Sequence, residues 1–252
     1  GDLVVRISAP EIGRLAPRLS AEAERCASVR DARTAGPYLR LIVEPKRDPE
    51  ELMRALEAVA DEVEVISMGA RLEIVKQVGS PAELERDYCI SQFRGSHGIG
   101  HTRLSTESRV DLSHSQPFWA HGRPDLAIVH NGHITNYHQL RRRYQQKGVR
   151  FYTGNDSEVV GVYLAERLRE DPDLERAFQA ALGDLDGSFS CLAATADAFG
   201  FVKDPFALKP LLVAETGRFA AVATEEVALR AAFPGDYPAR EAQAREIRVW
   251  RR

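Results

Sequence analysis

The stretch "DLAIVHNGHITNYHQL", residues 125–140, decides how this chain is read. Its apolar first half reads as a buried strand. The strand runs into Asn131-Gly132, a dipeptide that favours tight turns. The segment that follows, "NYHQLRRRYQQKG" (136–148), reads as a helix closed by Gly148. A strand and a helix meeting at so polar a junction mark a place where side chains and backbone can be presented to a ligand.

Working outward, "FRGSHGIGHTRLST" (93–106) places glycines among polar residues and reads as a strand feeding a tight turn. "NDSEVVGVYLAERLRE" (155–170) reads as a helix with Asn155 as cap and Glu158 closing a capping box. Asp156 then falls in the first turn, where the helix dipole favours a negative charge. The last third alternates short β runs, "GSFSCLAAT", "FGFVKDP", "LLVAET", "FAAVAT" and "REIRVW", and reads as one antiparallel sheet.

Residues 1–90 have a different texture. "LVVRIS" (3–8) and "YLRLIVEP" (38–45) read as strands. "PEIGRLAPRLSAEAERC" (10–26) reads as a helix interrupted by Pro17. "DPEELMRALEAVADEV" (48–63) is a helix capped by Asp48, with Pro49 in the first turn. "VEVISMG" and "RLEIVKQVG" read as two strands around a Gly-Ala turn, and "SPAELERDY" (80–88) as a short helix capped by Ser80. This β-α-β-α-β-β part carries little that could do chemistry and reads as scaffold or interface.

The 252 residues suffice for one large domain or two small ones. Charged residues make up 28% and the formal net charge is -3, which gives no reason to expect a nucleic-acid or membrane-surface partner. No apolar run approaches the ~20 residues that span a bilayer. The three cysteines, Cys26, Cys89 and Cys191, form no CxxC pair or disulfide framework, which suits a reducing cytoplasm.

Three polar groups then compete with plain structural readings. Arg103 is a bidentate carboxylate partner or half of an internal salt bridge. Asn131-Gly132 is a simple turn, or an amide and an N–H forming an oxyanion hole. Asp156 is a helix-start carboxylate or the holder of an ammonium group. Taken together they describe a pocket for an α-amino acid that bears a second carbonyl. A metal site built from His97, His101, His130 and His133 is disfavoured, because these lie in Gly-rich turns and no HExxH occurs.

"GIGHTRLST", "IVHNGHITNYHQL", "GVRFYTGNDSEVV", "DLDGSFS", "FVKDPFALKPLL" and "VATEEVAL", in that order, resemble the motifs of class II glutamine amidotransferases. These are N-terminal-nucleophile hydrolases. The resemblance spans about residues 92–250. It implies an α+β fold, a four-layer αββα sandwich, in residues 91–252, with residues 1–90 as an inserted α/β subdomain. That subdomain resembles an insertion in the glutaminase subunits of glutamate-synthase-like complexes, such as N-methylglutamate synthase.

Position by position, the resemblance implies that Arg103 holds the glutamine α-carboxylate with support from Thr106. Asp156 takes the α-ammonium, and Asn131 and Gly132 form the oxyanion hole. Asp204 and Lys209 close the core. The sequence departs from the family at Glu107, where a His is common, and at Gln116-Pro117, where the family has His-Pro; His114 lies two residues earlier.

The family's nucleophile is a Cys at the mature N-terminus, with its own α-amino group as base. This chain starts Gly1-Asp2-Leu3, and the expectation is that a Cys-bearing segment precedes it. The function expected is hydrolysis of glutamine to glutamate with delivery of ammonia to synthase subunits in a hetero-oligomer. The alternative is a catalytically dead glutamine-binding or regulatory subunit. No cofactor motif occurs in the chain, so any FMN or iron–sulfur centre belongs to a partner.

Overall fold

A computed structural model describes residues 1–102 and 112–252. Arg103, Thr106 and Glu107 lie outside the described residues.

The chain opens with β1 (Leu3–Ser8), α1 (Ile12–Cys26), β2 (Ala27–Ala35), β3 (Tyr38–Pro45), α2 (Pro49–Glu57) and β4 (Glu64–Gly69). The strands form an antiparallel sheet in the order β2-β3-β1-β4. This is the split β-α-β arrangement of ferredoxin-like units. Leu15, Leu19 and Ala23 of α1 and Leu52 and Leu56 of α2 recur at helical spacing and bury against Val5, Ile7, Leu41 and Val65. Pro17 sits inside α1 without ending it. Asp48 caps α2 by accepting from Glu50 N. Residues 71–79, expected to be a strand, form none. α3 (Pro81–Tyr88) starts at Ser80 with a complete capping box to Glu83.

Residues 94–102 form no strand. β5 (Phe118–Trp119) and β6 (Ala127–Ile134) are followed by α4 (Tyr137–Gln146), α5 (Asp156–Glu170) and α6 (Leu174–Asp184). Then come β7 (Gly187–Ala194), β8 (Ala198–Lys203), β9 (Leu212–Glu215), β10 (Ala220–Ala223), α7 (Glu226–Ala232), β11 (Ala239–Glu241) and β12 (Ile247–Arg251). The last third therefore builds two sheets rather than one, β12-β8-β7-β6-β5 and β10-β9-β11.

Alternation along the strands assigns each face. On β7 and β8, Phe189, Cys191, Ala193 and Val202 pack under α5 and α6. Leu192 and Phe201 point the other way, against Leu211 and Val213 of the second sheet. That sheet's outer face, Ala214 and Ala221, packs on Leu229 of α7. The layers run helix, sheet, sheet, helix, which is the αββα sandwich.

The N-terminal sheet adjoins this sandwich at β5, since Trp119 and Ala127 belong to its core. At the seam His121 lies between Trp119 and Tyr152, with ring centroids 5.0 and 4.5 Å away. Among the described residues neither ring nitrogen makes a well-formed hydrogen bond, and the Glu57 carboxylate stands 3.9 Å off. Burial above all, with Lys76 and Arg150 adding to it and a contact with the Val65 backbone opposing it, pushes the imidazole pKa down to about 3. An unfolded His titrates near ~6.5. The folded value is the lower one, so its contribution to stability is full above that pH and is lost as pH falls from about 6.5 toward 3. His121→Phe keeps the ring stack and removes two buried nitrogens that lack well-formed hydrogen bonds. A rise in melting temperature of roughly 2–4 °C at pH 7 is expected, with a shallower decline between pH 6.5 and 5 in thermal melts. A lower melting temperature than the parent's counts against this account of the seam.

Candidate active site

β6 supplies the site's backbone. In an antiparallel ladder, paired residues alternate between exchanging hydrogen bonds and facing away from one another. Phe189 sits opposite Gly132. Both of its backbone groups are used elsewhere: its N–H donates to Asp204 Oδ2 at 3.0 Å, and its carbonyl accepts from Asp204 N at 3.0 Å. The Gly132–Phe189 pair thus exchanges no bonds, and the Gly132 N–H faces the other edge of β6. His130 and Ile134 have the same orientation, and their outward N–H groups are satisfied. The Gln116 carboxamide donates to His130 O at 2.9 Å and accepts from His130 N at 2.5 Å, standing in for a neighbouring strand. Asp156 Oδ2 accepts from Ile134 N at 2.9 Å. Gly132 lies between the two and has no such partner among the described residues.

Gly132 holds φ +138, and a Cβ there would stand 2.0 Å from Ser188 O. Its neighbour Asn131 projects onto the opposite face from His130. The half-buried Asn131 side chain makes no hydrogen bond among the described residues. A free carboxamide next to a free backbone N–H is a pair of donors for an anionic oxygen.

Asp156 reaches the same place because α5 begins there. The Asn155 side chain caps the helix by accepting from Ser157 N at 2.9 Å. Glu158 does not close the expected box. Its carboxylate turns back to accept from Tyr152 N and Thr153 N at 2.8 and 2.9 Å, and so fixes the loop entering the helix. Asp156 Oδ1 lies 3.7 Å from His130 Nδ1, which itself contacts Ser157 Oγ at 2.9 Å. Burial lowers the His130 pKa. Asp156 opposes that shift, while the charges of His133, His101 and Lys209 add to it.

Gly132 and Asp156 therefore lie at one strand–helix junction, and the Asn131 side chain leaves the face of β6 opposite His130. The turn expected at Asn131-Gly132 is absent: the strand runs through to Ile134. Asp204 is fully buried and accepts from Phe189 N, Phe206 N and Ala207 N, a bracing contact behind the site. The sequence reading gives the contacts of Gln116, His130 and Ser157 no place: Gln116 stands only as a departure from the family pattern, His130 only as a disfavoured metal ligand, and Ser157 is not singled out. Gln116 stands where the family pattern has His, and nothing in periodicity signals a side chain that imitates a strand.

Residues 101–231, just over half of the chain, match the family model described as a glutamine amidotransferase domain. A Methanothermobacter thermautotrophicus protein is 42% identical over 170 residues, 68% of this chain and 56% of its own length. The Rhizobium meliloti glutamine amidotransferase-like protein GlxB is 39% identical over 179 residues, 71% of this chain and 59% of its own. The chain thus spans less than two thirds of these relatives. A solved structure of the glutamine phosphoribosylpyrophosphate amidotransferase of B. subtilis superposes with a TM-score of 0.53 at 20% identity, over 99% of this chain and 49% of that one. That likeness concerns the fold. With the matched family model and the layered architecture in agreement, the chain belongs to the class II glutamine amidotransferases.

Proposed function

We propose that this chain is the glutamine-hydrolysing part of a class II amidotransferase. The observation that carries the reading is the Gly132 N–H beside the Asn131 amide, both without a partner among the described residues, with the Asp156 carboxylate at the same end of β6. A cysteine thiolate attacks the side-chain carbonyl carbon of glutamine. The tetrahedral oxyanion takes hydrogen bonds from Asn131 Nδ2 and Gly132 N. The carbon–nitrogen bond breaks as the leaving nitrogen takes up a proton, giving ammonia and a glutamyl thioester. Water then adds to the thioester carbonyl, the carbon–sulfur bond breaks, and glutamate departs.

None of this chain's cysteines suits the attack. Cys191 faces the helix layer, and burial pushes its thiol up to about 12. Cys26 is buried in the N-terminal core, and Cys89 is exposed after α3. We therefore assign the nucleophile to a cysteine outside these 252 residues. Arg103 and Thr106 are assigned to the substrate α-carboxylate from the resemblance of "HTRLST" to the family motif, and Asp156 to the α-ammonium.

The finer reading is that ammonia passes to glutamate-synthase-like subunits in a cytoplasmic hetero-oligomer, with any FMN or iron–sulfur centre on the partner. It rests on the sequence resemblance of residues 1–90. Among the described residues no helix is long and apolar enough to cross a membrane.

Arg103→Ala tests the substrate assignment. Loss of a charge-assisted clamp is expected to weaken glutamine binding roughly 10- to 100-fold by calorimetry. Unchanged affinity in the full-length protein sinks the Arg103 role.

A further inference from the structure

On the face of the five-stranded sheet that meets the second sheet, three polar residues stand in one row. Asn131 of β6 pairs with Ser190 of β7, and Ser190 pairs with Lys203 of β8. Paired positions share a sheet face, so the three side chains leave the same surface. Lys203 is fully buried and Ser190 is 2% exposed. Among the described residues Lys203 Nζ and Ser190 Oγ make no hydrogen bond, and neither does the buried Oγ of Ser188, two residues along β7. Among the described residues the one carboxylate within 4 Å of Nζ is that of Glu241, 3.5 Å away, on a side chain that is 65% exposed.

A buried ammonium brings three donors and needs acceptors. Hydroxyl oxygens stand next to it on the sheet, but none is engaged. The surrounding cluster of Phe201, Leu211 and Val213 offers no polar atom from its side chains. An anion entering between the sheets would find one full positive charge and two hydroxyl donors already in place. Adjacent strands lie about 4.8 Å apart, so Lys203 is roughly 10 Å across the sheet from Asn131 at the backbone. A flexible four-carbon stem can close much of that separation.

We propose that Lys203, together with Ser190, forms an anion-holding floor beside the oxyanion position, and that its ligand is the side-chain carboxylate of glutamate. This rests on the glutaminase reading. Hydrolysis turns glutamine and water into glutamate and ammonium, so the group at the end of the side chain passes from a neutral carboxamide to a carboxylate. A cation on this side of Asn131 therefore discriminates between substrate and product by charge. It makes the site hold glutamate more firmly than the clamps on the α-carboxylate and α-ammonium alone, since both ligands share those groups. Lys203 acts here as a specificity-determining residue.

The test is calorimetric titration of glutamine and of glutamate into the full-length protein and its Lys203→Met and Lys203→Arg variants. The ratio of glutamate to glutamine affinity is expected to fall about tenfold in Lys203→Met and to stay within about threefold of the parent in Lys203→Arg, which keeps the charge. Both amino acids binding with a ratio unmoved by Lys203→Met overturns the Lys203 assignment and leaves the glutaminase reading standing. Neither amino acid binding to the parent overturns the glutaminase reading itself, and this inference with it. Should Lys203→Met fail to fold, Ser190→Ala removes a donor with little change in volume. A ratio about threefold lower in that variant supports the floor, and an unchanged ratio overturns it.

Discussion

In the full-length enzyme, Asn131→Ala is expected to lower kcat for glutamine hydrolysis roughly 100- to 1000-fold, with KM within about threefold of the parent. The split follows from geometry. The Asn131 carboxamide has no partner among the described residues and sits beside the outward N–H of Gly132, so its hydrogen bond is made to charge that develops in the tetrahedral intermediate. The ground-state carbonyl of glutamine carries little of that charge, and substrate affinity is governed by other groups. Because Asn131 braces nothing among the described residues, its removal should leave the melting temperature almost unchanged. A steady-state assay of glutamate release, paired with a thermal melt, separates the outcomes. If kcat stays within threefold of the parent, Asn131 is not an oxyanion donor. A large fall in melting temperature instead marks it as a structural residue.

The parts of this molecule that were legible in its sequence are those where local chemistry and final environment agree. Ser80 and Glu83 form a capping box, with Pro81 at the first helical position, because the partners lie within one turn of each other. Asp156 was found because a carboxylate at a helix start is a local pattern. Three misreadings share a cause: tertiary contact changed what a local signal meant. Leu72, Ile74 and Lys76 alternate inward as a strand's residues do, with Ile74 4% and Lys76 5% exposed, yet the segment packs on the core without pairing. Period-two burial reports an extended chain over a core, and a ladder needs a neighbour as well. β2 (Ala27–Ala35) was missed for the opposite reason. It is an edge strand whose outer half is exposed and charged, so no apolar alternation announces it. Asn155 caps α5 as expected, but Glu158 serves the preceding loop, because Tyr152 and Thr153 bring two N–H groups to it.

The third misreading, at Asn131-Gly132, leads to the largest expected effect on stability. The dipeptide looks like a turn because glycine tolerates positive φ. Here φ is +138 within a continuous strand, and the reason is close approach of the neighbouring chain. A Cβ on Gly132 would lie 2.0 Å from Ser188 O and 2.7 Å from Phe189 Cα, both backbone atoms of β7 that cannot swing aside. Gly132→Ala must therefore push β6 from β7, or rotate the peptide that carries the proposed oxyanion donor. Destabilisation of at least about 4 kcal/mol is expected, a melting temperature lower by roughly 10 °C or more for a chain of this size, together with loss of glutamine hydrolysis. Gly148 supplies the control. It also has positive φ, +86, but a Cβ there meets nothing within 4 Å. Gly148→Ala should cost only about 1 kcal/mol, the backbone term alone, and leave hydrolysis intact. If the two variants melt together, conformational strain accounts for both, and the packing of β6 against the Ser188 backbone has no part in shaping the site. If Gly132→Ala melts far below Gly148→Ala, the glycine at the strand edge is set by the space between the strands, and the outward N–H it presents is a product of that spacing.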